Sequence, residues 1–98
     1  MAESQAQAQA TQLIDDARVI VTRLDFVPGA QTGHHVHALP YVIVPLTDGL
    51  LHITGDDGAT TEAPLQTGVP YSRPAGVSHN VVNGGDAPLS FLEIEIRT

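Results

Sequence analysis

The chain is predicted to fold as an all-β domain, a small barrel or two-sheet jelly roll. Three observations carry that prediction. From Ala17 onward the apolar residues come in short runs broken by Gly, Pro, Asp and Asn, which is strand punctuation rather than a helical period. Turn signals recur at nearly regular intervals, enough for about eight or nine strands, and closing such a set removes exposed edges. A length of 98 residues suffices for one domain, small enough that self-association helps to cover its apolar surface.

Met1 to Gln12 is polar and rich in Ala and Gln. Without a basic start or an apolar stretch it reads as neither a signal peptide nor a membrane span. Residues 1–16 are therefore expected to form a polar arm, frayed or helical, and residues 17–98 the single barrel domain. Arg18 to Phe26 reads as a long first strand ended by Pro28-Gly29, where Pro fixes φ and Gly accepts φ > 0. His34 to His37 follows as a short strand. Tyr41 to Leu46 and Leu50 to Thr54 flank Thr47-Asp48-Gly49, and Asp-Gly is a favoured hairpin turn. Asp56-Asp57-Gly58 turns into a strand at Ala59 to Ala63 that Pro64 is expected to break. Gly68 opens the next segment, Pro74-Ala75-Gly76 makes a tight corner before Ser78 to Val82, and Asn83 to Asp86 forms the last turn. Leu89 to Ile96 closes the sheet, with Leu92, Ile94 and Ile96 on one face and Phe91, Glu93 and Glu95 on the other.

Composition narrows the function classes. The absence of cysteine excludes disulfides, thiolate metal sites and a thiol nucleophile, and the absence of lysine excludes a Lys Schiff base. With a net charge of -7 and only Arg18, Arg23, Arg73 and Arg97 as basic residues, no phosphate-neutralising patch for nucleic acid can form. Membrane association is not expected, and the cytoplasm is the expected location.

Histidines dominate what remains. His35 and His37 share one face of a strand, roughly 7 Å apart along it, and two imidazoles so placed can hold one metal ion. A third, His79, arrives after the Pro-x-Gly corner in a second strand-rich block. Three neutral imidazoles suit a divalent ion such as Fe, Mn, Ni, Cu or Zn and leave positions open for substrate. The competing reading keeps them as hydrogen-bonded core groups without metal, each then needing a buried partner.

Two motifs carry a resemblance to the cupin superfamily. The first, G-x5-H-x-H-x3/4-E-x6-G, is matched by Gly29, His35, His37 and Gly49, with Tyr41 or Val42 where the Glu would stand. The second, G-x5-P-x-G-x2-H-x3-N, is met in full by Gly68, Pro74, Gly76, His79 and Asn83. The resemblance implies a double-stranded β-helix, His35, His37 and His79 as inward metal ligands, and a homodimer built by sheet contacts. In ligand count the set resembles cupin dioxygenases of the cysteine-dioxygenase type. The run from His37 to Thr47 is similar to small bacterial cupins associated with β-alanine degradation, in which an Asp-Tyr pair stands at the Glu position; here Pro40 replaces that Asp.

Around the histidines each residue has a functional and a plain reading. Tyr41 stands where a fourth ligand would be, either as a catalytic phenol or as an aromatic pocket wall. Arg73, on the same strand face as Tyr71, either clamps a substrate carboxylate or pairs with an acidic residue. His34 falls on the face opposite His35 and is expected at the surface, and His52 is expected to be packed or at the surface. Arg23 is undecided. Glu93 and Glu95 are expected on the solvent face; were that face to line the cavity, Glu93 would return the missing carboxylate from another strand.

Three functions fit. The first is a metal-dependent enzyme, by analogy a dioxygenase, acting on a small polar or anionic molecule with Tyr41 and Arg73 orienting it. The second is a metal-free isomerase or dehydratase with a His base and Tyr41 as acid. The third is a small-ligand-binding module without catalysis.

Overall fold

The computed structural model describes residues 6–97. It holds nine strands and, among the described residues, no helix, so none is long and apolar enough to cross a membrane. The strands are β1 (Gln9–Asp15), β2 (Val19–Phe26), β3 (His35–Val36), β4 (Tyr41–Pro45), β5 (Gly49–Gly55), β6 (Thr60–Leu65), β7 (Tyr71–Arg73), β8 (Ser78–Asn83) and β9 (Leu89–Ile96). They form two antiparallel sheets, one in the order β1-β2-β9-β4-β7 and one in the order β3-β8-β5-β6. The all-β, two-sheet architecture is thus the one the turn spacing implies.

Between the sheets lies the core. Phe26, Leu51 and Leu89 are among its fully buried side chains, and the rings of Phe26 and Phe91 pack 5.4 Å apart. Toward one end this filling gives way to a cavity of about 220 Å³. Alternation along the larger sheet decides what faces it: Thr22 and Leu24 of β2, Tyr41 and Ile43 of β4, and Phe91 and Glu93 of β9 point inward.

The other set of side chains gives this sheet an apolar outer face. Ile14, Val21, Ile94 and Val42 stand in one cross-strand row, and Val21, although buried, is no part of the central cluster. Both faces of β9 therefore carry large apolar residues.

Three local expectations are corrected. Residues 9–15, expected within a frayed or helical arm, form β1; residues 1–5 of that arm lie outside the described residues. All seven residues of β1 are exposed, so the strand is ordered by backbone pairing with β2 rather than by burial. It is anchored just upstream, where Ala8 N–H donates to the Gln31 carbonyl at 2.9 Å and Gln31 N–H to the Ala6 carbonyl at 2.9 Å. Pro64 does not break its strand: it sits within β6, opposite Leu50. That strand is a sheet edge, where a missing N–H leaves no ladder bond unmade.

Thr47-Asp48-Gly49 is not a hairpin. The strands on either side belong to different sheets, and Asp48 instead accepts bonds from the Thr67 N–H and hydroxyl at 2.8 and 3.0 Å. Gly49 is needed for close packing, since a Cβ there would fall 2.4 Å from Leu89 Cδ1. Gly49→Ala is expected to destabilise the fold by about 1–3 kcal/mol through overpacking, lowering Tm by at least about 5 °C. At Gly84 a Cβ would meet the His52 ring at 2.6 Å, but that side chain is 39% exposed and free to swing aside. Gly84→Ala should therefore shift Tm much less, and equal losses in thermal unfolding would contradict the packing account.

Candidate metal centre

Register builds the site. β3 and β8 pair so that His35 lies directly opposite His79, and His37, two residues on, turns to the same interior. Its N–H donates to the Val77 carbonyl at 2.8 Å, and its own carbonyl accepts from Gly76 N–H at 2.8 Å. Gly76 has φ of 93°, a conformation that glycine adopts without steric cost. The Pro74-Ala75-Gly76 corner thus aims His79 and holds His37.

The three Nε2 atoms converge, with 3.0 Å between His35 and His37 and 3.2 Å between His37 and His79. Metal bonds of about 2.0–2.1 Å at tetrahedral or octahedral angles place adjacent nitrogen ligands about 2.9–3.4 Å apart. His35 Nδ1 lies 2.8 Å from the Gly33 carbonyl, which can only accept, so the ring proton belongs on Nδ1. The Nε2 lone pair is then left facing the cluster. A neutral ring offers one proton or one lone pair at Nε2, so His37 cannot make a linear hydrogen bond to each neighbour. A divalent cation among the three lone pairs satisfies all of them, and the donor set fits such an ion.

Electrostatics agree. Burial, with His35 adding to it, holds His37 and His79 down to about 4, so both rings keep the neutral, ligating form at neutral and mildly acidic pH. The 3.9 Å approach of Glu93 Oε1 to His37 Nε2 is accordingly a carboxyl beside a neutral imidazole and not an ion pair. Burial and then Glu95 push Glu93 up to about 7.

Glu93 is the principal correction to the site. It lines the cavity with the histidines, and Glu93 and Glu95 form a second group with His37, not the solvent face expected of them. Alternation places both carboxyls on the face of Phe91, whose burial marks that face as the inner one.

Tyr41, only 2% exposed, stacks on His37 with ring centroids 3.9 Å apart. Burial pushes its phenol up to about 12, which keeps it a hydrogen-bond donor. Arg73 pairs across the sheet with Tyr41 and opens on an adjoining hollow shared with Tyr71 and His79; no carboxylate among the described residues forms a salt bridge with it. The remaining polar residues lie away from the cluster. His34 is held outside by Asp56 at 2.7 Å and Ser78 at 2.9 Å. His52 sits 3.3 Å from Glu62, and Arg23 points outward to Asp25.

No protein-family model matches the chain. It is 48% identical over 91 residues to the Beta-alanine degradation protein BauB of Pseudomonas aeruginosa, a match covering 93% of this chain and 95% of the relative. The crystal structure of a cupin domain from Bordetella pertussis superposes with a TM-score of 0.94 at 42% identity, covering 99% of this chain and all of that one. A cupin with a double-stranded β-helix fold from Methanocaldococcus jannaschii shares the fold at a TM-score of 0.77 and 14% identity, covering 98% of this chain and 85% of that one. Fold and relatives together define a double-stranded β-helix protein. The chain belongs to the cupin family, as a small cupin.

The buried groups make metal-free stability depend on pH with a defined sign. Between the folded value of about 4 and the ordinary 6.5, the unfolded state binds more protons at His37 and His79, so stability rises with pH there. Glu93 acts oppositely: from 4.5 to about 7 the folded state holds the extra proton, and its contribution falls as pH rises. Between pH 4.5 and 6.5 the two histidines outweigh Glu93, so the net stability rises with pH. Glu93→Gln removes the opposing group and should steepen that slope. Urea unfolding of chelator-treated protein across this window checks it, and an unchanged slope would contradict the assignment.

Proposed function

We propose that the chain is a metal-dependent enzyme acting on a small polar or anionic molecule. The reading rests on one observation: Nε2 atoms 3.0 and 3.2 Å apart, with the His35 lone pair set toward the cluster by the Gly33 carbonyl. His35, His37 and His79 would hold a divalent ion, with Fe, Mn, Ni, Cu and Zn all compatible with imidazole. When bound, that ion supplies Lewis acidity and an attraction for anionic groups, since three neutral ligands cancel none of its charge. Tyr41 would offer its hydroxyl as a donor at the cavity wall, and Arg73 would attract an acidic group at the adjoining hollow.

The cavity of about 220 Å³ is smaller than the roughly 300–1,000 Å³ of sites for drug-sized ligands. A small metabolite in the cytoplasm fits that volume, and the name of the 48% identical relative, which concerns β-alanine degradation, supports a small-molecule substrate. Dioxygenation is the reaction class we favour, by analogy with three-histidine cupins.

Metal analysis of protein purified without added metal is expected to find close to one ion per chain, falling below about a tenth in His35→Ala and in His79→Ala. Metal-free wild-type protein that turns over substrate would overturn this and favour acid-base chemistry through Tyr41. Consumption of O2 with small thiols, β-diketones and amino-acid derivatives tests the reaction class.

We further propose that the outer face of the larger sheet pairs two copies of the chain, because the row Ile14, Val21, Ile94 and Val42 is an apolar surface that a two-fold axis makes self-complementary. Light scattering should give twice the chain mass, and Ile94→Arg the single mass. A monomeric wild type would end this proposal.

A further inference from the structure

Deepening the metal-dependent reading and resting on it, we propose that Glu93 binds a cationic amine of the substrate, so that the cavity takes a small aliphatic amino acid. Glu93 projects from β9 into a space walled largely by apolar residues, Leu24, Ile43 and Phe91 among them. Its side chain is 17% exposed, and its carboxylate comes to 3.9 Å from His37 Nε2, beyond hydrogen-bond range. A carboxylate left in such surroundings costs free energy until a donor or a cation meets it.

The chain itself offers no such cation. It has no lysine. Arg18 is exposed between β1 and β2, Arg23 and Arg97 are paired with Asp25 and Asp15, and Arg73, which lines the adjoining hollow, forms no salt bridge with Glu93. The partner is therefore expected to come with the ligand.

Position makes the group a second contact point and not a fourth member of the histidine set. Glu93 is within ligating reach of His37 but does not join the cluster of His35, His37 and His79. A ligand spanning both places meets opposite signs: an ion on three neutral imidazoles attracts an anionic end, and Glu93 attracts an ammonium. The aliphatic residues that line the same cavity, Leu24 and Ile43 among them, suit a short methylene chain.

The test is calorimetric titration with two probe pairs, 3-aminopropanoate against propanoate and 1-aminopropane against 1-propanol, with metal content measured on each sample. Wild-type protein is expected to bind each amine at least about tenfold tighter than its amine-free counterpart, as a charge-assisted contact implies. In Glu93→Gln that advantage should fall below about twofold with the metal content unchanged, and Glu93→Asp should retain part of it. Equal binding within each pair, or a preference that survives Glu93→Gln, overturns the proposal. Loss of metal in Glu93→Gln also overturns it, since the carboxylate would then be a ligand of the ion. If wild-type protein holds no metal but still shows the Glu93-dependent preference for 1-aminopropane, the metal reading fails and the amine subsite stands.

Discussion

The candidate site depends on the antiparallel pairing of β3 with β8, a ladder of only two residue pairs, His35 with His79 and Val36 with Ser78. So short a strand has little hold of its own, and side chains extend it in both directions. Upstream, Gly33 N–H donates to Asn80 Oδ1 at 3.0 Å, Asn80 Nδ2 to Gln31 Oε1 at 2.7 Å, and Thr32 N–H to the Val81 carbonyl at 2.9 Å. Downstream the backbone of His37 is bonded on both sides of the Gly76 corner. Outside the barrel, His34, Ser78 and Asp56 form a closed trio that ties β3 to the turn after β5. The histidine geometry is therefore imposed by a polar frame, and the imidazoles do not need to attract one another to converge.

That frame brings together groups that are uncomfortable without a ligand. Burial keeps His37 and His79 neutral, and three nitrogen atoms at contact distance cannot all be satisfied by protons. Glu93, on β9 of the larger sheet, is held toward its neutral form by burial. The protein spends folding free energy on both arrangements. Sites whose polar groups are costly in the free protein and relieved by an incoming cation or substrate are the usual mark of function rather than of architecture.

Much of this was legible in the sequence, for identifiable reasons. Strand alternation separates His34 from His35, and the structure places the first outside and the second inside. The Pro74-Ala75-Gly76 corner is readable because Gly76 sits at positive φ. The errors arise where a local rule met a tertiary context that the sequence does not display. Pro64 is tolerated because β6 is an edge, and Asp48-Gly49 serves a sheet crossover because Gly49 makes room for Leu89. β1 lacks any apolar pattern because none of its residues is buried. Glu93 reads as the likelier solvent-face residue because it alternates with the uniformly apolar set Leu92, Ile94 and Ile96. A sheet whose outer face is itself apolar defeats that inference, and the aromatic Phe91 was the better guide to the inner face.

The same sheet explains how the site can do without the Glu of the first cupin motif. Tyr41 occupies that region of β4 and stacks on His37, so the imidazole is positioned by a ring where a carboxylate would have taken a place beside it. Across the ladder from β4, Glu95 stands opposite Tyr41 and Glu93 opposite Ile43. An acidic side chain thus stands one strand away, on the cavity wall instead of at the motif position. A carboxylate among the ligands lowers the charge of a bound ion and leaves less for the substrate. On the wall it would leave the charge of an ion held by the three histidines whole and offer a second, acidic contact point beside it. On the proposed metal-dependent reading, the substitution at one motif position would alter what the cavity recognises more than whether it can hold an ion, since the three histidines and the polar frame that aims them are untouched by it.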